Sequence, residues 1–411
     1  MRSLTVLQIV PRIPFPLDDG GKIGIYGITK SLFIRGHRVI LLGFYENGFN
    51  YEAIESGNLL SDISILKCLK NDNTVNYLKL GFSLLDSMPF SIRKYFNEGM
   101  FKLIDSIFNK EKIDIVHIDH LQMAQYGLYI KNKYKVPIIL REHNVECLNW
   151  YYYYKYLRNP IKKLYAFIQY KKLHNYESKT IGFFDKCLAI SRLDALYLKK
   201  LNKKANIKIL PASIDLDQYK TNSNNSEVNS LLFIGSLDWF PNQEGIEWFI
   251  RNVFPFITST VPNIKLYIAG KSQSKNIEFL KKENIIMLTN VKDDKEIIRK
   301  ASILICPIRI GSGVRIKNLI GMALKKAIVS TTLGCEGIEC QNNKHIIITD
   351  NERDFADKIM FLLKNSIKKR HIEENAYILI KEKYSCEKVG EILEREYFET
   401  LLHNNKVGFG V

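Results

Sequence analysis

Short runs of consecutive apolar residues, rich in Ile, Val and Leu, recur along the whole chain and are separated by stretches long enough for helices. Strands that are apolar on successive residues, rather than on alternate ones, are typical of parallel sheets covered on both faces. Their alternation with helices predicts a doubly wound α/β architecture. In the first half we predict strands over residues 4–10, 38–44, 113–118, 136–140 and 186–190.

The pattern is interrupted by a polar, Asn/Ser-rich stretch over residues 217–230 and then begins again. Such a stretch indicates a surface loop near a domain boundary. We therefore predict two Rossmann-like domains that face each other across a cleft, over residues 1–215 and 216–385, and a final helical segment, 386–411, that packs back on the first domain. In the second domain we predict strands over residues 231–235, 265–269, 285–288, 303–306, 327–330 and 345–349.

Composition limits the class of protein and its partners. Lys and Arg number 60 against 43 Asp and Glu, a net charge of +17 over 411 residues, which predicts an anionic partner. No run reaches the ~18 consecutive apolar residues that a membrane-spanning helix needs. The seven cysteines are scattered and never spaced as CxxC, which favours reduced thiols in a cytoplasmic protein.

Ligands of doubly wound sheets bind beyond the carboxyl ends of the strands, so the polar residues at strand ends are the candidates. After the first strand come Gly20 and Gly21, and then a helix predicted over residues 23–36. Adjacent glycines allow close approach of a ligand and leave N–H groups free for a phosphate or sugar hydroxyl. A simple turn is the alternative, and the spacing is not GxGxxG.

Two further strands end in polar side chains. The segment around Asp119 and His120 follows one strand, and His143 follows the next within the motif REHNVE. Such groups can accept a hydrogen bond from a sugar hydroxyl or stabilise developing positive charge. A capping Asp and a buried core His are the structural alternatives.

The densest signal lies over residues 307–317, PIRIGSGVRIK. A buried strand ends at a Pro, a loop of Gly311, Ser312 and Gly313 follows, and a helix is predicted to open with Arg315 and Lys317. Glycine exposes backbone donors, a helix N-terminus favours anions, and two cations add charge. These residues predict a diphosphate site, with solvated basic residues on a helix as the alternative.

A metal is not expected. Asp215 and Asp217 form a bare DxD in the polar junction, but three-residue matches are common by chance, and Arg315 and Lys317 can offset phosphate charge themselves. The sequence has no HExxH, Walker A or GxSxG motif, which leaves metalloprotease, P-loop and serine-hydrolase chemistry without support.

Residues Tyr151 to Lys172 combine seven tyrosines with six Lys or Arg and no acid. The pattern is that of a basic aromatic helix on an anionic membrane surface. An exposed helix with a Tyr-lined packing face is an equal alternative, and no nucleic-acid partner is expected.

Taken together, these segments resemble the retaining, nucleotide-sugar-dependent glycosyltransferases of the large "group 1" family with the two-Rossmann-domain (B-type) fold, closest to the bacterial envelope and capsule branch. The matching segments are PFPLDDGGK at 14–22, DIVHID at 114–119, REHNVE at 141–146, FIGSLDWFPNQEGIEWF at 233–249, PIRIGSGVRIKNLIGMAL at 307–324, STTLGCEGI at 330–338 and YSCE at 384–387.

The resemblance implies a nucleotide diphosphate sugar as co-substrate, no separate cofactor, and a saccharide acceptor, expected to be lipid-linked at the inner face of the plasma membrane. It further implies that Arg315 and Lys317 neutralise the leaving diphosphate and that the Gly20–Gly21 loop lies near it. Asp119, with His143 as a second candidate, would contact the transferred sugar, and Gly235 and Ser236 would flank the nucleotide.

One position departs from the family pattern. The family commonly carries a Glu that holds the ribose hydroxyls, and this chain has Ile320 there. An apolar side chain cannot accept that hydrogen bond, so Glu336 is a candidate substitute. A sugar-nucleotide 2-epimerase of the same fold and a catalytically impaired binding or scaffold protein are the alternative functions.

Overall fold

The computed structural model describes residues 2–45, 61–71, 77–220, 226–270, 283–288 and 294–408. The chain divides into two units, which are described separately below. Unit 1 comprises Met1–Ser213 together with Cys386–Val411, and unit 2 comprises Ile214–Ser385. The final helix of the chain therefore belongs to the same unit as the first strand.

Seven parallel strands form the sheet of unit 1, in the order β3-β2-β1-β4-β5-β6-β7. The bounds are β1 Thr5–Val10, β2 Arg38–Tyr45, β3 Ile65–Lys70, β4 Ile115–Asp119, β5 Ile138–Glu142, β6 Lys186–Ala189 and β7 Ile207–Ile209. The five strands predicted from apolar runs are confirmed. The two that were missed, β3 and β7, lie at the edges of the sheet, where their residues are half-buried or exposed and carry no continuous apolar run.

Helices cover both faces of this sheet. They are α1 Gly20–Ile34, α2 Tyr77–Leu85, α3 Phe90–Arg93, α4 Glu98–Lys110, α5 Ala124–Tyr134, α6 Glu146–Tyr156, α7 Pro160–Thr180, α8 Arg192–Leu201 and, at the end of the chain, α15 Cys386–Gly408. The strands are buried from both sides, as the successive apolar residues predict.

Helix α1 begins three residues earlier than predicted. Asp19 caps it by accepting hydrogen bonds from the N–H groups of Gly21 and Lys22. A side-chain cap of this kind satisfies N–H groups that have no partner within the helix. The two glycines therefore form the first turn of the helix and not a separate loop.

Unit 2 has six parallel strands in the order β10-β9-β8-β11-β12-β13. The bounds are β8 Ser230–Ile234, β9 Lys265–Ala269, β10 Ile285–Leu288, β11 Ile303–Cys306, β12 Ala327–Ser330 and β13 Ile347–Ile348. The α-helices of the unit are α9 Phe240–Trp248, α10 Phe254–Thr260, α11 Asp294–Lys300, α12 Ile316–Ala323, α13 Glu352–Lys364 and α14 Ser366–Leu379. All six predicted strands are present.

In both sheets the direction of strand order reverses once, between β1 and β4 in unit 1 and between β8 and β11 in unit 2. The loops that leave the two neighbouring strands at such a point diverge and open a crevice at their carboxyl ends. Asp119 ends β4, and the Gly-Ser-Gly loop follows β11. The topology thus brings both groups of predicted site residues to the places where these sheets bind ligands.

Helix α15 closes the core of unit 1. Val389, Leu393 and Tyr397 are fully buried in an apolar cluster that also contains Leu4 and Ile28. Full burial of one such side chain stabilises a fold by ~1.5–3 kcal/mol. The last helix is therefore part of the core of unit 1 and not an appendage.

Candidate functional site

The loop that follows β11 has a backbone that needs glycine. Gly311 and Gly313 have φ angles of 103° and 89°, in the left-handed region that side chains disfavour. The loop leads directly into α12, which has no side-chain cap at its N-terminus. Backbone N–H groups at an uncapped helix start are suited to an anion.

Arg315 immediately precedes α12 and is only 6% exposed. Its Nη1 donates to the carbonyl oxygen of Ser312 at 2.9 Å, whereas Nε and Nη2 have no hydrogen-bond partner among the described residues. The guanidinium lies 5.4 Å from the centre of the Trp239 ring. Burial lowers the pKa of Arg315. A buried cation with two unused donors is costly unless an anion joins it.

Lys317 lies two residues further along, in the first turn of α12, and is held by neutral groups. Its Nζ donates to the carbonyl of Ile234 at 3.0 Å and to Oδ1 of Asn242 at 3.3 Å, and it lies 4.4 Å from the centre of the Phe233 ring. Burial lowers its pKa. Within the described residues no carboxylate forms an ion pair with Lys317 or Arg315.

Gly235 directly follows β8, beside Lys317, and permits a close approach of Asn242. A Cβ on Gly235 would lie 2.6 Å from Nδ2 of Asn242, which donates to the carbonyl of Ser236 at 2.8 Å. Asn242 therefore bridges the Gly235 turn to Lys317. The predicted Gly235, Ser236 and Lys317 are brought together by this one side chain.

A cavity of about 500 Å³ lies at the carboxyl ends of the neighbouring strands. It is lined by Ile308, Arg309, Thr331, Thr332, Leu333, Glu336 and Asp350. Asp350 accepts hydrogen bonds from the backbone N–H and the hydroxyl of Thr332, at 2.8 and 2.6 Å. The carboxylate of Glu336 lies near enough to Arg315 to oppose the fall in its pKa. Ile320 is buried in α12.

In unit 1, Asp119 and His143 meet at the carboxyl ends of β4 and β5. Oδ1 of Asp119 lies 2.5 Å from Nε2 of His143, and Nη1 of Arg141 lies 2.6 Å from the same nitrogen and 3.4 Å from Asp119. Burial alone would raise the pKa of Asp119, but its interactions with His143 and Arg141 hold that pKa below its usual value. Asp119 is therefore an anion at neutral pH. Burial lowers the pKa of His143.

His120 completes the cluster. Its ring stacks on that of His143, with centroids 3.6 Å apart and planes 14° from parallel, and its Nδ1 lies 3.6 Å from Asp119. It has a φ of 75°, a strained conformation for a residue with a side chain. The three residues predicted from strand ends thus form one contiguous group.

These three side chains could also ligate a cation, because Asp119, His120 and His143 each offer a ligand atom within 4.8 Å of the others. A positive group already lies at this place, however, since Nη1 of Arg141 lies 2.6 Å from Nε2 of His143. A metal there would have to displace or tolerate a buried guanidinium.

The expectation of free N–H groups at the glycine pair is wrong for Gly21. The N–H of Gly21 donates to Asp19 at 2.8 Å, and Arg12 binds the same carboxylate oxygen at 2.7 Å. A Cβ on Gly21 would lie 2.4 Å from Nη2 of Arg12. Glycine here makes room for Arg12.

Asp215 and Asp217 serve the backbone turn. Asp215 caps a short 3₁₀ turn by accepting from the N–H of Asp217 at 3.2 Å, and Asp217 pairs with Lys220 at 2.7 Å on the surface. The carboxylate of Asp217 thus has a cationic partner in the chain itself. All seven cysteines are free thiols, as predicted.

Both halves of the chain match models of known protein families. Residues 19–218 match the model described as Glycosyltransferase Family 4, and residues 228–365 match Glycosyl transferases group 1. Both halves of the chain are therefore similar to glycosyltransferase families. A protein of Klebsiella pneumoniae, described as an uncharacterized 44.6 kDa protein in the cps region, is 28% identical over an alignment of 411 positions, which covers 95% of this chain and 99% of that protein.

Solved structures agree on the fold. Sucrose-phosphate synthase from Thermosynechococcus elongatus superposes with a TM-score of 0.74 at 12% identity, over 98% of this chain and 100% of that one. HepE from Anabaena, solved in complex with UDP-glucose, gives 0.64 at 11% identity, over 97% and 100%. At these identities the likeness shows the B-type glycosyltransferase fold, with two parallel-sheet α/β domains.

Sequence reasoning missed several residues of the two sites. Arg141 and Gln8 contact Asp119, and Trp239 and Asn242 contact the cations of unit 2. A polar Gln within the buried strand β1 was the available signal for the first pair. Among the described residues, no helix is both long and apolar enough to cross a bilayer.

Proposed function

We propose that this glycosyltransferase moves a sugar from a nucleotide diphosphate sugar to a saccharide acceptor, with retention of configuration and without a metal, in the synthesis of a cell-surface polysaccharide. The observation that carries the proposal is the pair of cations formed by the buried Arg315 and the half-buried Lys317. No described carboxylate forms an ion pair with either side chain, and both lie where the strand order of unit 2 reverses. A diphosphate supplies the missing negative charge.

In the proposed reaction, the bond between the anomeric carbon and the phosphate oxygen breaks and places negative charge on the diphosphate. Arg315, Lys317 and the N–H groups at the start of α12 are preorganised to stabilise that charge, an effect that can contribute several kcal/mol. Because the two side chains already lie in their places and are desolvated, little reorganisation accompanies bond cleavage. Their charge takes the role that a divalent cation would otherwise fill.

The acceptor hydroxyl then forms the new bond from the face that the diphosphate leaves, and its proton passes to the departing phosphate oxygen. Asp119, held ionised by His143 and Arg141, is suited to accept a hydrogen bond from a sugar hydroxyl and to stabilise positive charge at the anomeric carbon. His120 stacks on His143 and is proposed to fix its ring plane.

The ribose contact needs a substitute in this chain, because Ile320 cannot accept a hydrogen bond. Glu336 lines the cavity of unit 2 and interacts with Arg315. We assign the ribose hydroxyls to Glu336. Gly311 and Gly313 keep the loop beside it open, and Gly235 and Ser236 flank the base.

The acceptor is proposed to be a lipid-linked saccharide, with the protein peripheral on the inner face of the plasma membrane. The relative in the cps region of Klebsiella pneumoniae supports the polysaccharide setting. The net charge of +17 favours an anionic surface.

Thermal unfolding of the purified chain with a panel of nucleotide diphosphate sugars tests the proposal. We expect one donor to raise the melting temperature, and the same donor, carrying a labelled sugar, to transfer the label to a membrane extract. Isomerisation of the donor without acceptor would instead indicate an epimerase. Failure of every donor and of the free nucleotide diphosphates to shift the transition would contradict donor binding altogether.

A further inference from the structure

Within helices α6 and α7, residues 147–176 form a hairpin whose charge is of one sign. Residues 147–176 contain no Asp or Glu. Their cations are Lys155, Arg158, Lys162, Lys163, Lys171 and Lys172. The surface of the hairpin is therefore positive without internal compensation, and it is suited to a partner with many negative charges.

Among the tyrosines of the hairpin, Tyr153 and Tyr156 are exposed, at 43% and 38%, and the others are half-buried. The ring of Tyr151 lies 5.5 Å from that of Tyr170, and Tyr154 lies 5.2 Å from Phe167 with Lys163 above it at 5.4 Å. Ring faces covered in this way are poorly available for stacking on nucleic-acid bases, which single-stranded binders require. The contacts argue against a nucleic-acid partner.

Aliphatic side chains point outward instead. Ile161 is 79% exposed and Leu164 is 62% exposed, and Phe167 is also exposed. These three residues are spaced three apart on α7, so they share one side of the helix. Lys162, Lys163 and Lys171 flank them. We call this group of three apolar and three basic side chains the hairpin face.

We propose that the hairpin face docks on the surface of an anionic phospholipid bilayer. The apolar side chains would enter the boundary between headgroups and acyl chains, while the lysines bind lipid phosphates, the combination that holds amphipathic helices in a membrane interface. Charge complementarity selects the partner, because a face that is both apolar and uniformly cationic matches an anionic interface and not an apolar protein groove.

The role of this membrane contact rests on the proposed function, because an enzyme docked on the membrane would meet a lipid-linked acceptor by diffusion in two dimensions. The binding itself requires no reaction. It can therefore be measured independently of donor or acceptor.

Sedimentation of the full chain with vesicles tests the proposal. We expect binding to vesicles of phosphatidylcholine with phosphatidylglycerol, little binding to phosphatidylcholine alone, and weaker binding as salt rises. The double variant Ile161→Ser/Leu164→Ser and the double variant Lys162→Gln/Lys163→Gln should each lower the partition coefficient at least about tenfold.

Matched controls remove equivalent groups elsewhere. Val228 and Ile367 are 81% and 84% exposed in unit 2, and Lys203 and Lys204 are exposed beyond α8. The variants Val228→Ser/Ile367→Ser and Lys203→Gln/Lys204→Gln should bind vesicles like the wild type. The altered residues are exposed except for the half-buried Lys163, whose ammonium lies over the Tyr154 ring. Circular dichroism and melting temperature are measured for every variant and should stay unchanged.

Equal vesicle binding by the wild type and both hairpin variants would overturn the proposal, as would equal binding to neutral vesicles. Loss of oligonucleotide binding in those variants, with vesicle binding intact, would assign the face to nucleic acid instead. Donor-induced stabilisation, measured on the same variants, should be unaffected. A chain that binds vesicles but no donor would contradict the proposed function and leave the docking face established.

Discussion

At the scale of single residues, unit 2 holds a buried positive charge that destabilises the ligand-free protein and prepares it for a ligand. Arg315 uses one of its nitrogens on the chain and leaves two without a described partner. A residue that stabilised the fold would have its donors satisfied by carbonyls or carboxylates. The geometry is that of a group whose partner arrives from solution.

This view predicts opposite effects of one substitution. Arg315→Gln should lower the affinity for a nucleoside diphosphate by about 10–100-fold, since hydrogen bonds to charged groups contribute ~1.5–3 kcal/mol. The free energy of unfolding without ligand should rise, because the substitution removes a buried, unpaired charge. Calorimetric titration and chemical denaturation measure the two quantities. Arg353→Gln, on the exposed face of α13, is the control and should change neither.

The proposed ribose contact gives a second prediction for a single side chain. Glu336→Gln should weaken binding of the ribonucleoside diphosphate about tenfold, because a neutral amide forms a weaker hydrogen bond with a ribose hydroxyl than a carboxylate does. Binding of the 2′,3′-dideoxy analogue should be unchanged. An equal loss for both nucleotides would mean that Glu336 acts through Arg315 and not on the ribose.

The residues that sequence could predict were those whose types are unusual at strand ends. Asp119 and His143 follow buried strands, where an apolar or turn residue would be expected, and they do meet in the structure. Trp239 and Asn242 could not be found in this way. Both lie around the start of α9, in positions where an aromatic residue and an amide are common, and only the fold brings them to Arg315 and Lys317.

At the scale of elements, the last helix is tied to the sheet by a buried polar contact as well as by apolar packing. The hydroxyl of Tyr397 on α15 lies 2.7 Å from Nδ1 of His117 on β4. Burial lowers the pKa of His117 to about 4, so the ring is neutral at pH 7. His117 is two residues from Asp119, and the contact thus connects the last helix to the strand that carries the site.

Removing this contact should cost stability without removing volume. Tyr397→Phe leaves His117 without its described partner, and we expect the free energy of unfolding at pH 7 to fall by ~1–3 kcal/mol. Denaturant titration measures the loss. Tyr377→Phe, on the half-buried side of α14, should change stability by less than about 0.5 kcal/mol. Equal effects of the two substitutions would mean that the buried hydrogen bond contributes nothing.

Element bounds explain where sequence reasoning failed. Central strands are marked by continuous apolar runs because helices cover both of their faces, whereas β3 and β7 have a neighbour on one side only. Gly20 and Gly21 suggest a loop by composition, yet Asp19 caps the helix before them. A cap one residue before a glycine pair is a stronger signal for a helix start than the glycines are for a turn.

At the scale of the whole molecule, stability should depend on pH through buried carboxyl groups. Burial raises the pKa of Glu177 to about 7, and Glu142 beside it is raised as well, by burial and by the charge of Glu177. Between pH ~4.5 and ~7 the unfolded chain ionises these groups while the folded chain keeps a proton. The free energy of unfolding contributed by them therefore falls as pH rises through that window.

In the variant Glu177→Gln, the fall in the free energy of unfolding between pH 4.5 and pH 7 should be smaller than in the wild type by roughly 2–3 kcal/mol. Denaturation at several pH values, for wild type and variant, gives the difference directly. Glu374→Gln, an exposed residue of α14, serves as the control. A difference that does not change with pH would mean that Glu177 is ionised in the folded protein throughout.

The chain leaves unit 1 after Ser213 and returns to it at Cys386, so only unit 2 is continuous in sequence. Unit 2 has its own six-stranded sheet and its own apolar cluster, which includes Phe233, Phe249 and Phe355. Residues 214–385 expressed alone should therefore unfold cooperatively and retain affinity for the nucleoside diphosphate.

Residues 1–213 alone lack Val389, Leu393 and Tyr397 from their core and should fail to fold, because three large side chains correspond to a substantial part of a typical 5–15 kcal/mol stability. Circular dichroism and calorimetry on the two fragments measure whether each one folds. Adding a peptide of residues 386–411 should restore structure to the fragment of residues 1–213. A cooperative transition for residues 1–213 by themselves would show that α15 is dispensable to the core of unit 1.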